Sequence, residues 1–189
     1  MNFKDFTQNA LRTESVPDVV RIHTELFETM QAVSVSVADN LDLIKKNVFY
    51  GKDLDQERVV RNLRHCKVML ENLSKNIDGD SGTFSKIDEM VINPREFHGV
   101  LGILTEANEL LDCVNLGSKS LPVKECVDEL GDVMWYTAIL ADEKNIDVED
   151  QVLVAVIDKL RTRFPDKFDA ALAISKNKDI EGEVTQKYV

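Results

Sequence analysis

Cysteine is scarce in this 189-residue chain: Cys66, Cys113 and Cys126 are the only three, and none forms a C-x-x-C pair. An odd number at such spacing suggests neither a disulfide framework nor a thiolate zinc site, and a reducing cytoplasm is the expected location. Four prolines and eight glycines are few, which suits helices joined by short connections. Long apolar runs are absent. Nothing approaches the roughly 20 residues of a membrane span, and the opening MNFKDFTQNALRTES lacks a signal-peptide core. Positive charge is also short: 23 Lys and Arg face 34 Asp and Glu, for a net charge of −11. That argues against nucleic acid or an anionic membrane as a partner. It leaves a phosphorylated small molecule open, because a bound metal reverses the local sign.

What the chain does have is helical periodicity. Val20, Ile22, Leu26, Phe27, Met30, Val33, Val37, Leu41 and Ile44 recur at three- and four-residue steps, which predicts a helix over Val16–Lys46 with Ser15 as N-cap and Pro17 in its first turn. The alternating run Val33–Val37 is read as part of it. Asn47–Asp55 is a connection, Gln56–Ile77 a second helix and Asp78–Thr83 a linker. A short helix is expected over Phe84–Val91 and long ones over about Arg95–Val114 and Val123–Glu143. Asp147 is the N-cap of a helix ending before Pro165, and the polar tail KNKDIEGEVTQKYV is expected to be loosely ordered. Lys75-Asn76-Ile77-Asp78 recurs as Lys144-Asn145-Ile146-Asp147, which points to a duplicated helical hairpin. The expected fold is all-α: a helical bundle with a four-helix core, its N-terminal half (1–80) a degenerate repeat of its C-terminal half (81–189), together one compact domain.

Chemistry concentrates between His98 and Tyr136. Glu106 and Glu109 stand three apart on one predicted helix, Glu129 and Asp132 three apart on the next. Three apart on a helix is one face. On each wheel the acids border an apolar arc: Ile103, Ala107, Leu110, Leu111 and Val114 on the first helix, and Cys126, Val127, Leu130, Val133, Met134 and Ala141 on the second. Packed antiparallel, the two helices gather four carboxylates, which repel unless a cation joins them. Oxygen-only ligands suit Mg²⁺, with Mn²⁺ as a substitute. Charged residues at this spacing are more often a solvated face. Here neither pair has a Lys or Arg at the next helical step, and both helices tolerate an interior glycine, Gly102 and Gly131, at about 1 kcal/mol against Ala.

These residues carry a resemblance. Thr105-Glu106-Ala107-Asn108-Glu109, a loop, then Glu129-Leu130-Gly131-Asp132-Val133-Met134-Trp135-Tyr136 resemble the motif of MazG-like, all-α nucleoside triphosphate pyrophosphohydrolases. Lys159-Leu160-Arg161-Thr162-Arg163-Phe164-Pro165-Asp166-Lys167-Phe168 resembles that family's closing segment, and His98 and Gly102 fit its bacteriophage members. Arg12-Thr13-Glu14 and the segment Lys45–Lys52 resemble pieces found near the first metal helix of those phage proteins, yet here they lie in the half without the acids. Val156 departs from the pattern, where the resemblance suggests Asn.

The resemblance implies hydrolysis of an NTP or dNTP between the α- and β-phosphates, giving a monophosphate and pyrophosphate, with Glu106, Glu109, Glu129 and Asp132 as metal ligands and catalytic acids. Lys159 and Arg163 are candidates for phosphate contacts or ordinary surface cations. Tyr136 is a candidate for stacking on the base. Lys45, Lys46 and Tyr50 are either substrate contacts from the worn half or surface and packing residues. A homodimer or higher homo-oligomer is the implied assembly. The competing reading is an inactive nucleotide- or protein-binding bundle derived from the same family.

Overall fold

The computed structural model describes residues 1–77, 87–115, 117–118, 120–175 and 178–188. It is all-α apart from one small two-stranded sheet. Along the chain run α1 (Phe3–Ala10), β1 (Val20–Ile22), α2 (Thr24–Tyr50), α3 (Gln56–Lys75), β2 (Asp88–Met90), α4 (Pro94–Asp112), α5 (Val123–Glu143), α6 (Val154–Arg163), α7 (Ala170–Ile174) and α8 (Lys178–Gln186). The chain divides into two compact units, each assembled from separated segments. One comprises Met1–Val20, Val91–Lys159 and Gly182–Val189, the other Arg21–Met90 and Leu160–Glu181.

The first unit is built on the α4–α5 hairpin. Asn93 caps α4 by accepting from the Arg95 and Glu96 amides, and Pro94 opens the helix where a missing N–H costs nothing. The two helices run antiparallel: Arg95 meets Asp142 and Glu143, while Gly99 and Gly102 face Leu140 and Tyr136. Both glycines are needed for close approach. A Cβ on Gly99 would stand 2.9 Å from the Cβ of Leu140, and one on Gly102 only 2.0 Å from the Tyr136 ring. Buried Ala138, Ile139 and Ala141 form the tightest part of α5. Capping α5 on one flank, α1 ends at buried Ala10, whose carbonyl accepts from Trp135 Nε1 at 3.1 Å.

An ion cluster ties the N-terminal segment to this hairpin. Arg95 donates Nε and an Nη to the two oxygens of Glu14, each at 2.9 Å, and also bonds Asp142 and Glu143. The Glu14 side chain is only 8% exposed. Its pairing, then those with Asp142 and Glu143, pushes the guanidinium pKa upward. Glu143 is held below its ordinary range by its hydrogen bond from Asn93, then by Arg95. A depressed carboxylate contributes stability that is full above about pH 4.3 and lost as pH falls through its folded value. Thermal stability is therefore expected to fall on acidification below about pH 4. Arg95→Met should lower stability at pH 7 by about 3 kcal/mol, because it strands Glu14, and should flatten the acid limb. Scanning calorimetry across that range checks both.

In the second unit, α2 and α3 form another hairpin. Gly51, at φ 65, ends α2 in the left-handed conformation, and Asp55 caps α3 by accepting from the Arg58 amide at 2.9 Å. Across the hairpin Arg58 grips Asp39 with two bonds of 2.6 and 2.7 Å. Asn62 Nδ2 bridges Asp39 and buried Asn40, at 2.8 Å to each. Thr24 donates to Asp88 at 2.7 Å, and Arg163 Nε donates to buried Glu181 at 2.7 Å.

Several expected boundaries shift. No helix starts at Ser15. Val20–Ile22 is a strand paired with Asp88–Met90, and α2 begins at Thr24. Residues 88–90 are that partner strand rather than the end of a helix from Phe84, and Ile87 and Val91 beside it are not helical; residues 84–86 and the linker Asp78–Thr83 lie outside the described residues. A three-residue strand pair is held by contacts far apart in sequence, so local periodicity does not reveal it. Asn47–Tyr50 continue α2, with Gly51 as the stop. The tail is helical in α8, where Val184 and Glu181 are buried. The apolar arc of α5 is only partly an internal core face: Ala141 is buried, but Val127, Leu130 and Met134 are exposed in the chain. Leu111 and Val114 of the α4 arc are exposed as well.

Candidate metal and nucleotide site

The antiparallel register of α4 and α5 sets three carboxylates side by side. Glu106, Glu129 and Asp132 each offer one oxygen, and these oxygens lie within 4.8 Å of one another. Glu106 and Glu129 are half-buried, while Asp132 is exposed. Glu109, one turn further along α4, is exposed and lies outside that trio. Its charge is still felt there. Burial pushes the Glu129 carboxyl upward, and Glu109, Glu106 and Asp132 add to the push in that order. Among the described residues none of the four acids has a Lys or Arg within ion-pair distance. Thr105 Oγ1 bonds the Gly102 carbonyl at 3.0 Å and lies 3.3 Å from a Glu106 oxygen.

Tyr136 borders the acids. Its ring fills the notch above Gly102, and burial, then Glu106, Asp132 and Glu109, raise its phenol pKa. His98 meets it edge-on at 5.2 Å and meets Trp135 at 5.8 Å. Trp135 and His98 thus pack edge-on against the Tyr136 ring. Gly102→Ala is expected to gain about 1 kcal/mol in helix propensity and to lose about 1–3 kcal/mol to overpacking. Gly131 has nothing within 4 Å of an added Cβ, so Gly131→Ala should be neutral or stabilising. Paired thermal melts of the two variants check this difference.

Residues 99–168 match the model of the MazG nucleotide pyrophosphohydrolase domain. No curated protein and no solved structure matches the chain. The MazG segment takes in all four acids, Tyr136, Lys159 and Arg163. His98 and the Lys45–Lys52 stretch lie outside it.

The other sequence-predicted contacts are engaged locally. Lys45 and Lys46 both hold Asp42, the first at 2.7 Å, and these bonds pull Asp42 down to about 2. Tyr50 packs against Phe168 with ring centres 5.7 Å apart. Arg163 is committed to Glu181. Within the MazG segment Lys159 stands on the wall of a separate cleft. Glu125, four residues before Glu129 on α5, is not in the carboxylate trio. In the α2–α3 hairpin Asp39 is paired with Arg58. A larger cavity of about 420 Å³ lies between α1 and the turn after α5, lined in part by Phe3, Thr7, Ala141 and Asn145, and includes none of Glu106, Glu109, Glu129 and Asp132. Sequence reading missed the role of Gly102 as the seat of Tyr136. The signal was available, since an interior glycine stands one turn before Glu106 on its helix.

Proposed function

We propose that this protein hydrolyses a nucleoside triphosphate or its deoxy form between the α- and β-phosphates, releasing a monophosphate and pyrophosphate. The observation that carries the reading is the meeting of Glu106, Glu129 and Asp132, without a cationic partner, inside the MazG segment. Such a set fits a hard divalent cation: its donors are all oxygen, they converge, and their mutual repulsion is relieved by positive charge. Glu106, Glu129 and Asp132 would hold Mg²⁺, with Glu109 completing the shell. When bound, the cation supplies charge to the phosphate oxygens and acidifies the attacking water. The protein's own part is to hold these groups in place. One of the four carboxylates accepts the water proton, and Tyr136, seated on Gly102, offers an aromatic edge and a hydroxyl beside the acids.

The assembly we infer is a homodimer. Along α5 Val123, Val127, Leu130 and Met134 follow at spacings of four, three and four, with exposure from 78% at Val123 to 45% at Met134. That spacing is the seam of a helical bundle, and left in water it is costly. Along α4 Val100, Leu104 and Leu111 keep the same heptad step and are also exposed.

The direct test is pyrophosphate release from a panel of NTPs and dNTPs with and without Mg²⁺. Turnover that depends on the metal and on Asp132 supports the reading. Nucleotide binding with no turnover under Mg²⁺ or Mn²⁺ would instead favour an inactive binding bundle.

A further inference from the structure

The stripe on which α4 meets α5 does not end at the acids. Arg95, Gly99, Gly102, Glu106, Glu109 and Cys113 follow one another along the α4 backbone at steps of four, three, four, three and four, which is one helix face. Across from them Arg95 meets Glu143, Gly99 meets Leu140, Gly102 meets Tyr136, and Glu106 shares the carboxylate trio with Asp132 and Glu129. Each advance along α4 is matched by an equal retreat along α5. The same register, carried one turn past Glu109, sets Cys113 across from Cys126.

Burial agrees with that pairing. At this end of the hairpin Leu111, Asp112 and Val114 are exposed, while Cys113 between them is half-buried. On α5 Val123, Lys124, Val127 and Asp128 are exposed, while Glu125 and Cys126 are half-buried. Cys113 Sγ lies back along the shared face, donating to the Glu109 carbonyl at 3.4 Å. After burial, Glu129 and then Cys126 push its thiol upward, so the charges it feels most stand across the hairpin. Helices packed about 10 Å apart, each with a Cα radius of about 2.3 Å, hold facing Cα atoms about 5 Å apart. A disulfide spans about 4.4–6.8 Å between Cα atoms.

We propose that Cys113 and Cys126 are a redox pair, which a small disulfide such as oxidised glutathione converts into a cross-link bracing the end of α4 against the start of α5. One cysteine, as thiolate, attacks the glutathione disulfide; a mixed disulfide forms and one glutathione thiolate leaves. The second cysteine, its proton lost to water, attacks the protein sulfur of that mixed disulfide and displaces the other glutathione. Two protein thiols are thereby oxidised and one disulfide is reduced to two thiols. The brace closes one turn from Glu109 and from Glu129, at the acid end of the hairpin. Cys66 is buried on α3 and takes no part. The proposal is independent of the hydrolytic reading.

The test is incubation of the full chain with oxidised glutathione, followed by thiol counting, mass spectrometry of unreduced peptides and thermal melts. The expected result is a fall from three free thiols to one, Cys66, with Cys113 and Cys126 joined within one chain. The melting temperature should rise by about 5 °C or more, and dithiothreitol should reverse both changes. Cys113→Ser and Cys126→Ser should each retain a glutathione adduct on the remaining cysteine and lose the rise. The proposal is overturned by any of three results: no reaction, or glutathione adducts on both cysteines without a cross-link; a cross-link that involves Cys66 or joins two chains; or a Cys113–Cys126 cross-link that leaves the melting temperature unchanged or lower.

Discussion

Glu129→Gln is expected to stabilise the metal-free protein, remove most of its thermal response to Mg²⁺, and slow nucleotide turnover at least a hundredfold. The three effects share one cause. Glu129 is half-buried between Glu106 and Asp132, with Glu109 nearby, and both burial and those charges oppose its ionisation. An amide of the same shape relieves the repulsion at no cost in packing. It also withdraws one charged oxygen donor from the cation. A ligand that binds only the folded state stabilises it by about 2.7 kcal/mol at a hundred times its Kd, so the wild type should gain strongly in Mg²⁺ and the variant little. Metal ions contribute several kcal/mol to transition-state charge stabilisation, and losing about 3 kcal/mol of it is a factor of more than a hundred in rate. Differential scanning fluorimetry with and without Mg²⁺, beside a pyrophosphate assay, reads all three. A variant that melts lower without metal, or that keeps the wild-type metal shift, contradicts the site.

The second large effect concerns the seam on α5. Val127→Lys with Met134→Lys should convert the homodimer to a monomer without unfolding the hairpin, because both side chains already face water in the single chain. Burying a Val or Met side chain is worth about 1.5–3 kcal/mol. Two such losses on each of two subunits exceed 4 kcal/mol, which is about a thousandfold or more in the dimer Kd before the charge is counted. Sedimentation velocity at micromolar concentration resolves the outcome. A monomeric wild type, or a variant that sediments with it as a dimer, removes the inferred interface.

The acid pairs were legible because their information is local. Three-residue spacing on a helix fixes the face, and antiparallel packing of consecutive helices follows from the short connection between them. The all-α class was legible for the same reason. The pairing of two lysines also had a local signal: Asp42 stands three and four residues before Lys45 and Lys46, the spacing of a helical ion pair. Arg163 is different, since its partner Glu181 comes from another helix and no periodicity announces it. The β1–β2 pair and the Glu14–Arg95 bond are likewise made between distant residues. The apolar arc of α5 shows a subtler failure. Heptad spacing reports that a face seeks a partner, and it does not say whether the partner belongs to the same chain. The tail was misread from composition, because one buried Glu181 paired with Arg163 and one buried Val184 are enough to anchor α8.

The central claim is that the carboxylates of α4 and α5 direct a metal-dependent attack between the α- and β-phosphates. Product analysis by ³¹P NMR, with an NTP panel in Mg²⁺, tests it most directly. The account predicts monophosphate and pyrophosphate in equal amounts, none without divalent metal, and none from Asp132→Asn. Release of diphosphate and inorganic phosphate, or unchanged pyrophosphate release by Asp132→Asn, would contradict it.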